Sequence, residues 1–432
     1  MVAIALALTS EERDRLGSDV TLRAIAVRAY EEAWRERWPF LSDVFARVLR
    51  GVHEEEAGIV AAAVHALVKY HRLLGFACGD AAGQAAKLEM LLALARGECR
   101  EVDARLDALE GETERLGTAY SMPDWLVDLV RTEVGTLAFK AALARMNETA
   151  PRVARVNTLR TTRDDLRTAL AGEGLETRST QTAQTGLAID GRRSPFRTQA
   201  FARGDFEMQD EASQMVAELV APPPRTRVID ACAGAGGKAL ALAALLDGKG
   251  EVIALDPSGD KLKELRRRAR RAGANNVRAL ECDLLATDDR IRGLQASATR
   301  VLVDAPCTGV GAIRRNPEAR WRLGVDELVR LLERQRALLD GAARLVVPHG
   351  RIVFATCSFL PSEGSNVVEE FLARQAGYSL VTAREVLGGG RARPMVTTDG
   401  KYLSTWRFDG ADDAQSDGFF AAVLRKARPV PR

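Results

Sequence analysis

Apolar positions recur along this chain at two periods, and the switch between them divides it. Through the first third the period is helical. In "TLRAIAVRAYEEAWRERW", Leu22, Ile25, Ala26, Ala29, Tyr30 and Ala33 share one face. Asp43 stands where a cap would open the next helix, with Val44, Phe45, Val48, Leu49 and Val52 as its apolar side around Gly51. Residues 59–74, "IVAAAVHALVKYHRLL", give another stripe through Val60, Val64, Leu67 and Val68. "MPDWLVDLVRTEVG" opens on Pro123, a favoured first-turn residue, and closes on Gly135.

Near residue 150 the pattern changes. "RVNTLR" and "LAIDG" read as short strands around a helix at "TRDDLRTALAGEG", and the three prolines of "APPPRTR" mark a boundary. Beyond it, apolar runs alternate with helical patterns: "RVIDACAG", "EVIALDPSG", "RALECDLL", "RVLVDAPCTG", "RIVFATCSF" and "GFFAAVLRK". Such alternation predicts an α/β fold with a mainly parallel sheet covered on both faces. The expected organisation is helical over 1–148, small α+β over 149–222 and α/β over 223–432. Ligands of such sheets bind beyond the carboxyl ends of the strands.

Composition changes this picture little. Hydrophobic residues at 46% and charged residues at 28% describe an ordinary soluble globular chain. No stretch approaches the ~18 uninterrupted apolar residues of a spanning helix, so no membrane is expected. The start, "MVAIALALTSEERDRLG", is apolar only until Glu11, Glu12, Arg13 and Asp14 and lacks a basic leader, which argues against a secretory signal. Six cysteines without a C-x-x-C pair argue against a metal site and against a disulfide framework. A reducing, cytoplasmic compartment is the expectation. The net charge of +3 says nothing about nucleic acid, so local basic clusters must carry that argument.

"DACAGAGGK" follows the first apolar strand and opens a helix. Its residues Cys232, Ala233, Gly234, Ala235, Gly236, Gly237 and Lys238 let backbone approach a ligand at a helix amino end. Dinucleotide binders and methyltransferases share this signal. Asp256 ends the next strand, nineteen positions after Gly237, which suits a carboxylate on ribose hydroxyls. Asp283 and Asp304 end the third and fourth strands. Each alone reads equally as a cap or turn residue, but three converge on one crevice. Hydride transfer gives no reason for two further cysteines, Cys307 and Cys357, at strand ends. S-adenosylmethionine, with its nucleoside, amino-acid tail and electrophilic methyl, explains the set better.

The motifs "DACAGAGGK", "ALDPS", "ECDLL", "VLVDAPCTGVGAIRRNPEARWR", "FATCSFLPSEGSNVVEEFL" and "SDGFFAAVLRK" resemble those of the RNA cytosine-5-methyltransferases, above all the bacterial branch acting on 16S ribosomal RNA. "RVNTLRTTRDDL" and "GDFEMQDEASQMVA" resemble the segment before that family's core, and "AGIVAAAVHALVKYHRLLGFA" its NusB-like helical domain. The resemblance implies a Rossmann-like S-adenosylmethionine-dependent sheet, an all-α NusB-like RNA-binding domain in front and a small α+β segment between. Cys357 is then the nucleophile and Cys307 the residue assisting release. Asp304 binds the cytosine edge and lies near the methionine tail. Residues 232–238 form the cofactor loop, with Asp256 at ribose and Asp283 near adenine. Many family members carry proline where this chain has Ala235. Carbon 5 of cytosine is a weak nucleophile, and a thiolate adding to carbon 6 activates it, which splits one hard step into easier ones. An isolated free cysteine is more often a small buried residue.

Basic residues cluster in "RVARVNTLRTTRDDLR", "GRRSPFRTQAFARG", "KLKELRRRARR" and "IRRNPEARWR". The first two are expected to track phosphates and the third to be a solvated face. Arg314, Arg315 and Arg320 lie just after Cys307, and Trp321 is either a base-stacking residue or core. The expected partner is ribosomal RNA, met by a monomer. Transfer RNA is the alternative substrate. A non-catalytic RNA-binding or ribosome assembly factor is the alternative function, and a dehydrogenase on the same sheet the more distant one.

Overall fold

The computed structural model describes residues 4, 6–79, 82–409 and 415–427. Part of the apolar start quoted above, residues 1–3 and 5, lies outside them. The chain divides into two compact units. One comprises Met1–Ala150 with Ala312–Leu328, and the other Pro151–Gly311 with Val329–Arg432.

The first unit is helical. Helix Val20–Arg35 buries the predicted face, Leu22, Ala26, Ala29, Tyr30 and Ala33. That face joins Val60, Val64 and Leu67 of helix Glu54–Lys69 in one core. Two expectations need correction. Asp43 does not cap: helix Leu41–Val48 starts two residues earlier, and the Leu41 amide donates instead to the Glu318 carboxylate at 3.4 Å. The stripe over 59–74 is not one helix. It breaks at Tyr70, where helix His71–Cys78 departs at 75° from Glu54–Lys69. No glycine or proline marks the break. It is held from elsewhere, because the Ser121 hydroxyl accepts the freed amides of Arg72 and Leu73.

Arg320, on the Ala312–Leu328 segment, is fully buried in this unit. It has no carboxylate partner in its hydrogen-bond set. Its guanidinium donates to the carbonyls of Lys69, Ser121 and Met146 at 3.2 Å and to Asn147 Oδ1 at 2.8 Å. Lys69 and Met146 terminate helices, so these oxygens are negative dipole ends. Burial lowers Arg320 to about 9, with the charges of Tyr70 and Glu318 opposing. Trp321 donates its indole N–H to the Val68 carbonyl at 2.7 Å. It packs against Trp38 and His71 at the edge of the helical core and stays half-buried.

The second unit holds two sheets. Strands β1 (Val153–Val156), β2 (Thr177–Ser179), β3 (Gly186–Ile189) and β4 (Phe206–Met208) form an antiparallel sheet in the order β2-β3-β1-β4. Helix Arg163–Gly172 packs Leu166 and Leu170 into its core. The large sheet contains β5 (Arg227–Asp230), β6 (Glu251–Asp256), β7 (Val277–Glu281), β8 (Ala298–Asp304), β9 (Val346–Thr356), β10 (Tyr378–Val381), β11 (Leu403–Ser404) and β12 (Phe420–Lys426). Its order is β10-β12-β9-β8-β5-β6-β7, with β11 on β12. Strands β5 to β9 are parallel, while β10 and β12 are antiparallel at one edge. The predicted mainly parallel α/β fold is what forms.

The strands read as continuous apolar runs because both faces are covered. Ile229, Ile253, Val301, Val303, Ile352 and Phe354 enter one core. Their alternating neighbours Val228, Val252, Ala254, Leu302, Val353 and Ala355 enter the other. Among the described residues no single helix is long and apolar enough to cross a membrane.

Replacing Arg320 with methionine removes the donor to four buried oxygens. The full chain should lose about 3 kcal/mol of stability, read from urea unfolding with no change at the β8 and β9 strand ends. A loss under about 0.5 kcal/mol would show that this buried cation is dispensable.

Candidate active site

The parallel strands deliver their ends to one edge. Asp230 closes β5, Asp256 closes β6, Asp304 closes β8, and Cys357 directly follows β9. Asp283 lies two residues past the end of β7, not at it.

The loop after β5 is pinned from below. The Ala233 amide donates to the Leu255 carbonyl, and the Gly234 amide to Asp256 Oδ2 at 2.9 Å. Gly234 and Gly236 take left-handed φ of 53° and 89°. A side chain on Gly236 would meet Leu265 at 2.6 Å, whereas the space beside Gly234 is open. Helix Gly237–Leu245 starts here, its first amides at a positive dipole end. Ala235, the position of the family's proline, is held by Arg268, which donates to its carbonyl at 2.9 Å. Asp256 also accepts the Ser258 amide at 2.8 Å, so each of its oxygens already holds a backbone N–H. Asp283 accepts from Arg334 and from the Leu285 amide. Burial opposes its ionisation, but these bonds hold it below the usual carboxylate range.

Asp230 is the most perturbed carboxylate at this edge. Neither oxygen has a partner of normal hydrogen-bond geometry. Burial, then the charge of Asp304, pushes it up to about 7, with Lys238 opposing. Burial likewise pushes the Cys232 thiol up. An orphaned buried acid, open space at Gly234 and a turn of backbone amides fit a nucleoside cofactor bearing a cationic centre.

Lys238 and Asp304 form a nearly buried pair, Nζ to Oδ2 at 2.7 Å, with the ammonium 5.1 Å from the centre of the Phe419 ring. Burial works against the Lys238 charge, yet Asp304 holds its pKa above the usual lysine range, with Cys357 and Asp230 adding to the effect. Lys238 is thus linked electrostatically to Cys357, which the sequence did not reveal. The Cys307 and Cys357 sulfurs are 3.2 Å apart. The hydrogen bond to Cys357, then burial, pushes the Cys307 thiol far up, which favours its protonated form.

Of the two clusters expected to track phosphates, Arg160, Arg167, Arg192, Arg193 and Arg197 are exposed, and Arg155 is turned inward. Arg314 and Arg320 are buried in the helical unit. Arg155 is buried and donates to Gln209 and to the Gly237 carbonyl, bracing the cofactor loop. The "KLKELRRRARR" helix is only partly a solvated face. Arg268 and Arg271 turn in to the buried Glu207, while Lys263 and Arg267 stay outside. Their carbonyl and carboxylate partners lie far off in sequence, so no local pattern distinguishes them. Among the described residues no group of three or more His, Cys, Asp or Glu side chains is placed to hold a metal.

The doubly wound sheet and this loop fit the class of S-adenosylmethionine-dependent methyltransferases. The family description "16S rRNA methyltransferase RsmB/F" matches residues 217–425, and the ferredoxin-like domain of RsmF/B-like methyltransferases matches 122–194. "Probable ribosomal RNA small subunit methyltransferase B" of Synechocystis sp. is 33% identical over 325 residues, covering 74% of this chain and 70% of its own. "Ribosomal RNA small subunit methyltransferase B" of Pseudomonas syringae pv. tomato is 32% identical, covering 81% and 76%. Among solved structures, PH0851 matches with a TM-score of 0.78 at 23% identity, covering 94% of this chain and 99% of that one. NSun6 from Pyrococcus horikoshii matches at 0.61 and 20%, covering 71% and 98%. These two likenesses are of fold. The chain belongs to the RsmB/F family of 16S rRNA methyltransferases and is an S-adenosylmethionine-dependent RNA methyltransferase.

Because the folded pKa of Asp230 is raised to about 7 from 3.8, the folded state binds the extra proton between those values. Stability of the cofactor-free protein contributed by this group is therefore present at acid pH and lost as pH rises from about 4 to 7. Asp230→Asn should remove that slope. Unfolding series of both proteins across pH 4–8 read it as the difference between two curves, which should diverge toward pH 7 in favour of the variant. Parallel curves would mean that Asp230 ionises normally.

Proposed function

We propose that the protein methylates carbon 5 of a cytosine in small-subunit ribosomal RNA, with Cys357 as nucleophile and Cys307 as the group assisting its release. The thiol pair carries this reading: two sulfurs at 3.2 Å beyond adjacent strands, with the Cys307 thiol pushed far up. The Cys357 thiolate adds to carbon 6 of the ring, forming a carbon–sulfur bond and leaving carbon 5 electron-rich. Lys238, paired with Asp304, places a positive charge at this edge of the sheet. Asp304 keeps one oxygen outside that pair, suited to accept from the cytosine amino edge. When bound at residues 232–238, S-adenosylmethionine supplies an electrophilic methyl group, with Asp256 at its ribose and Asp283 near its adenine. After the carbon-5 proton is lost to water, its electron pair reforms the carbon 5–carbon 6 double bond as the carbon–sulfur bond breaks. The Cys307 S–H, within 3.2 Å of Cys357, stabilises the departing thiolate.

The helical unit is proposed to contribute RNA affinity as a NusB-like domain. The cysteines whose state is described are free, which suits a reducing cytoplasmic compartment. A thiol pair this close supports an enzyme over a binding factor, since RNA affinity alone has no use for it.

The test combines transfer of labelled methyl to cellular RNA with bisulfite sequencing of the product. Label should enter 16S RNA as 5-methylcytosine. Cys357→Ala should lower kcat by roughly 10³-fold or more. Cys307→Ala should accumulate a covalent RNA–protein band on denaturing gels that ribonuclease collapses. Label confined to transfer RNA would replace the substrate and keep the chemistry. A band from Cys357→Ala rather than Cys307→Ala would exchange the two roles, and no label in any RNA would leave the binding factor as the reading.

A further inference from the structure

Each of the two cysteines sits in a loop, and loops alone do not hold sulfurs at 3.2 Å. Cys307 follows β8 in "APCTG", and Cys357 follows β9 in "TCSF". Both loops converge on one buried acid. Glu363 lies in the short 3-10 turn Pro361–Glu363 and is 0% exposed. Its Oε1 accepts the Thr308 amide at 2.8 Å and the Gln335 side-chain N–H at 3.1 Å. Its Oε2 accepts the Thr308 hydroxyl. The Ser358 hydroxyl is a further donor to the same carboxylate. Its backbone carbonyl accepts the Thr356 hydroxyl at 3.0 Å. Gln335, also fully buried, donates a second time to the Pro306 carbonyl at 3.0 Å. The residues on either side of Cys307 and on either side of Cys357 are thus all tied to Glu363 or to its partner Gln335.

We propose that Glu363 is a positioning residue for methyl transfer, fastening the Pro-Cys loop to the Thr-Cys loop so that the two thiols are held within reach of one another. The proposal rests on the assignment of Cys307 and Cys357 as the working thiols. Glu363 makes no hydrogen bond to either sulfur and acts only through the loops. Burial raises its pKa, and the bonds from Thr308, Ser358 and Gln335 oppose that shift. All its hydrogen-bond donors are neutral. Burying a carboxylate among neutral donors is a costly way to gain stability alone, since apolar packing does it better. It is a good way to bind several donors from separate segments at one point, because a carboxylate offers about four acceptor positions.

The chemistry of the donors separates position from charge. The two donors at Oε1 are N–H groups with fixed direction. Those from Thr308 and Ser358 include hydroxyls, which rotate and can accept instead. In Glu363→Gln the amide oxygen can occupy the Oε1 place and its NH2 can face the hydroxyls, so the clasp survives without charge. In Glu363→Ala it is gone.

The experiment uses the full chain and reads thiol geometry apart from catalysis. Diamide oxidises a close thiol pair: two thiols lose two protons and two electrons to form one disulfide, and the N=N bond is reduced to a hydrazine. The wild-type protein should yield a Cys307–Cys357 disulfide, 2 mass units lighter by peptide mass spectrometry. Glu363→Ala should form it at least tenfold more slowly and lose about 10–100-fold in kcat, with KM for RNA and cofactor affinity within about twofold of wild type. Glu363→Gln should recover both rates to within about threefold. Should Glu363→Ala fail to fold, Thr308→Val, which removes one donor and leaves Glu363, should still slow disulfide capture several-fold. Wild-type capture rates in folded Glu363→Ala, or in Thr308→Val if that is the only folded variant, overturn the proposal, as does a Glu363→Gln no better than alanine. A Glu363→Ala protein with slow capture but full kcat keeps the clasp and removes the cysteines from the chemistry.

Discussion

Parallel pairing of β8 with β9 is the contact on which the site depends. Val303 lies beside Phe354 and Asp304 beside Ala355 in the register. A slip of one residue would turn every side chain of a strand to the opposite face, and both faces are filled core. The register is therefore fixed by burial rather than by the residues at the edge. Because it is fixed, two loops fifty residues apart in sequence leave the sheet side by side, and their cysteines meet.

Electrostatics at that edge is arranged around one cation. Lys238 is supplied by the first turn of helix Gly237–Leu245, which follows β5, the neighbour of β8. It offsets part of the repulsion among Asp230, Asp304 and Asp256, and its field reaches Cys357. Lys238 thus links the loop after β5 electrostatically to the strand end that carries Cys357. Asp230 remains the weak point of the cofactor-free protein, an acid with burial against it and no normal donor.

Much of this was legible in the sequence because its causes are local or periodic. The apolar runs of β5, β6, β8, β9 and β12 announce strands covered on both sides. The glycines of the turn announce backbone approach, and the paired Pro-Cys and Thr-Cys motifs announce the thiols. What escaped has partners far along the chain. Arg155, Arg268 and Arg320 look like surface cations in "RVARV", "LRRRA" and "ARWR" until their acceptors are known. The break at Tyr70 has no glycine or proline because Ser121 makes it. Glu363 is six residues past Cys357 in a segment that reads as an ordinary turn. Asp43 has the right chemistry for a cap, but Glu318 serves the amide there instead.

The Ala312–Leu328 segment has one more implication, for the order in which the protein is made. The helical unit draws its central buried cation from a stretch synthesised long after its own helices. During translation the carbonyls of Lys69, Ser121 and Met146 must wait, solvated or loosely packed, until residue 320 leaves the ribosome. The amino-terminal third is therefore not a self-sufficient module that can be moved between proteins by cutting at residue 150. Its keystone lies beyond that cut, in the Ala312–Leu328 segment.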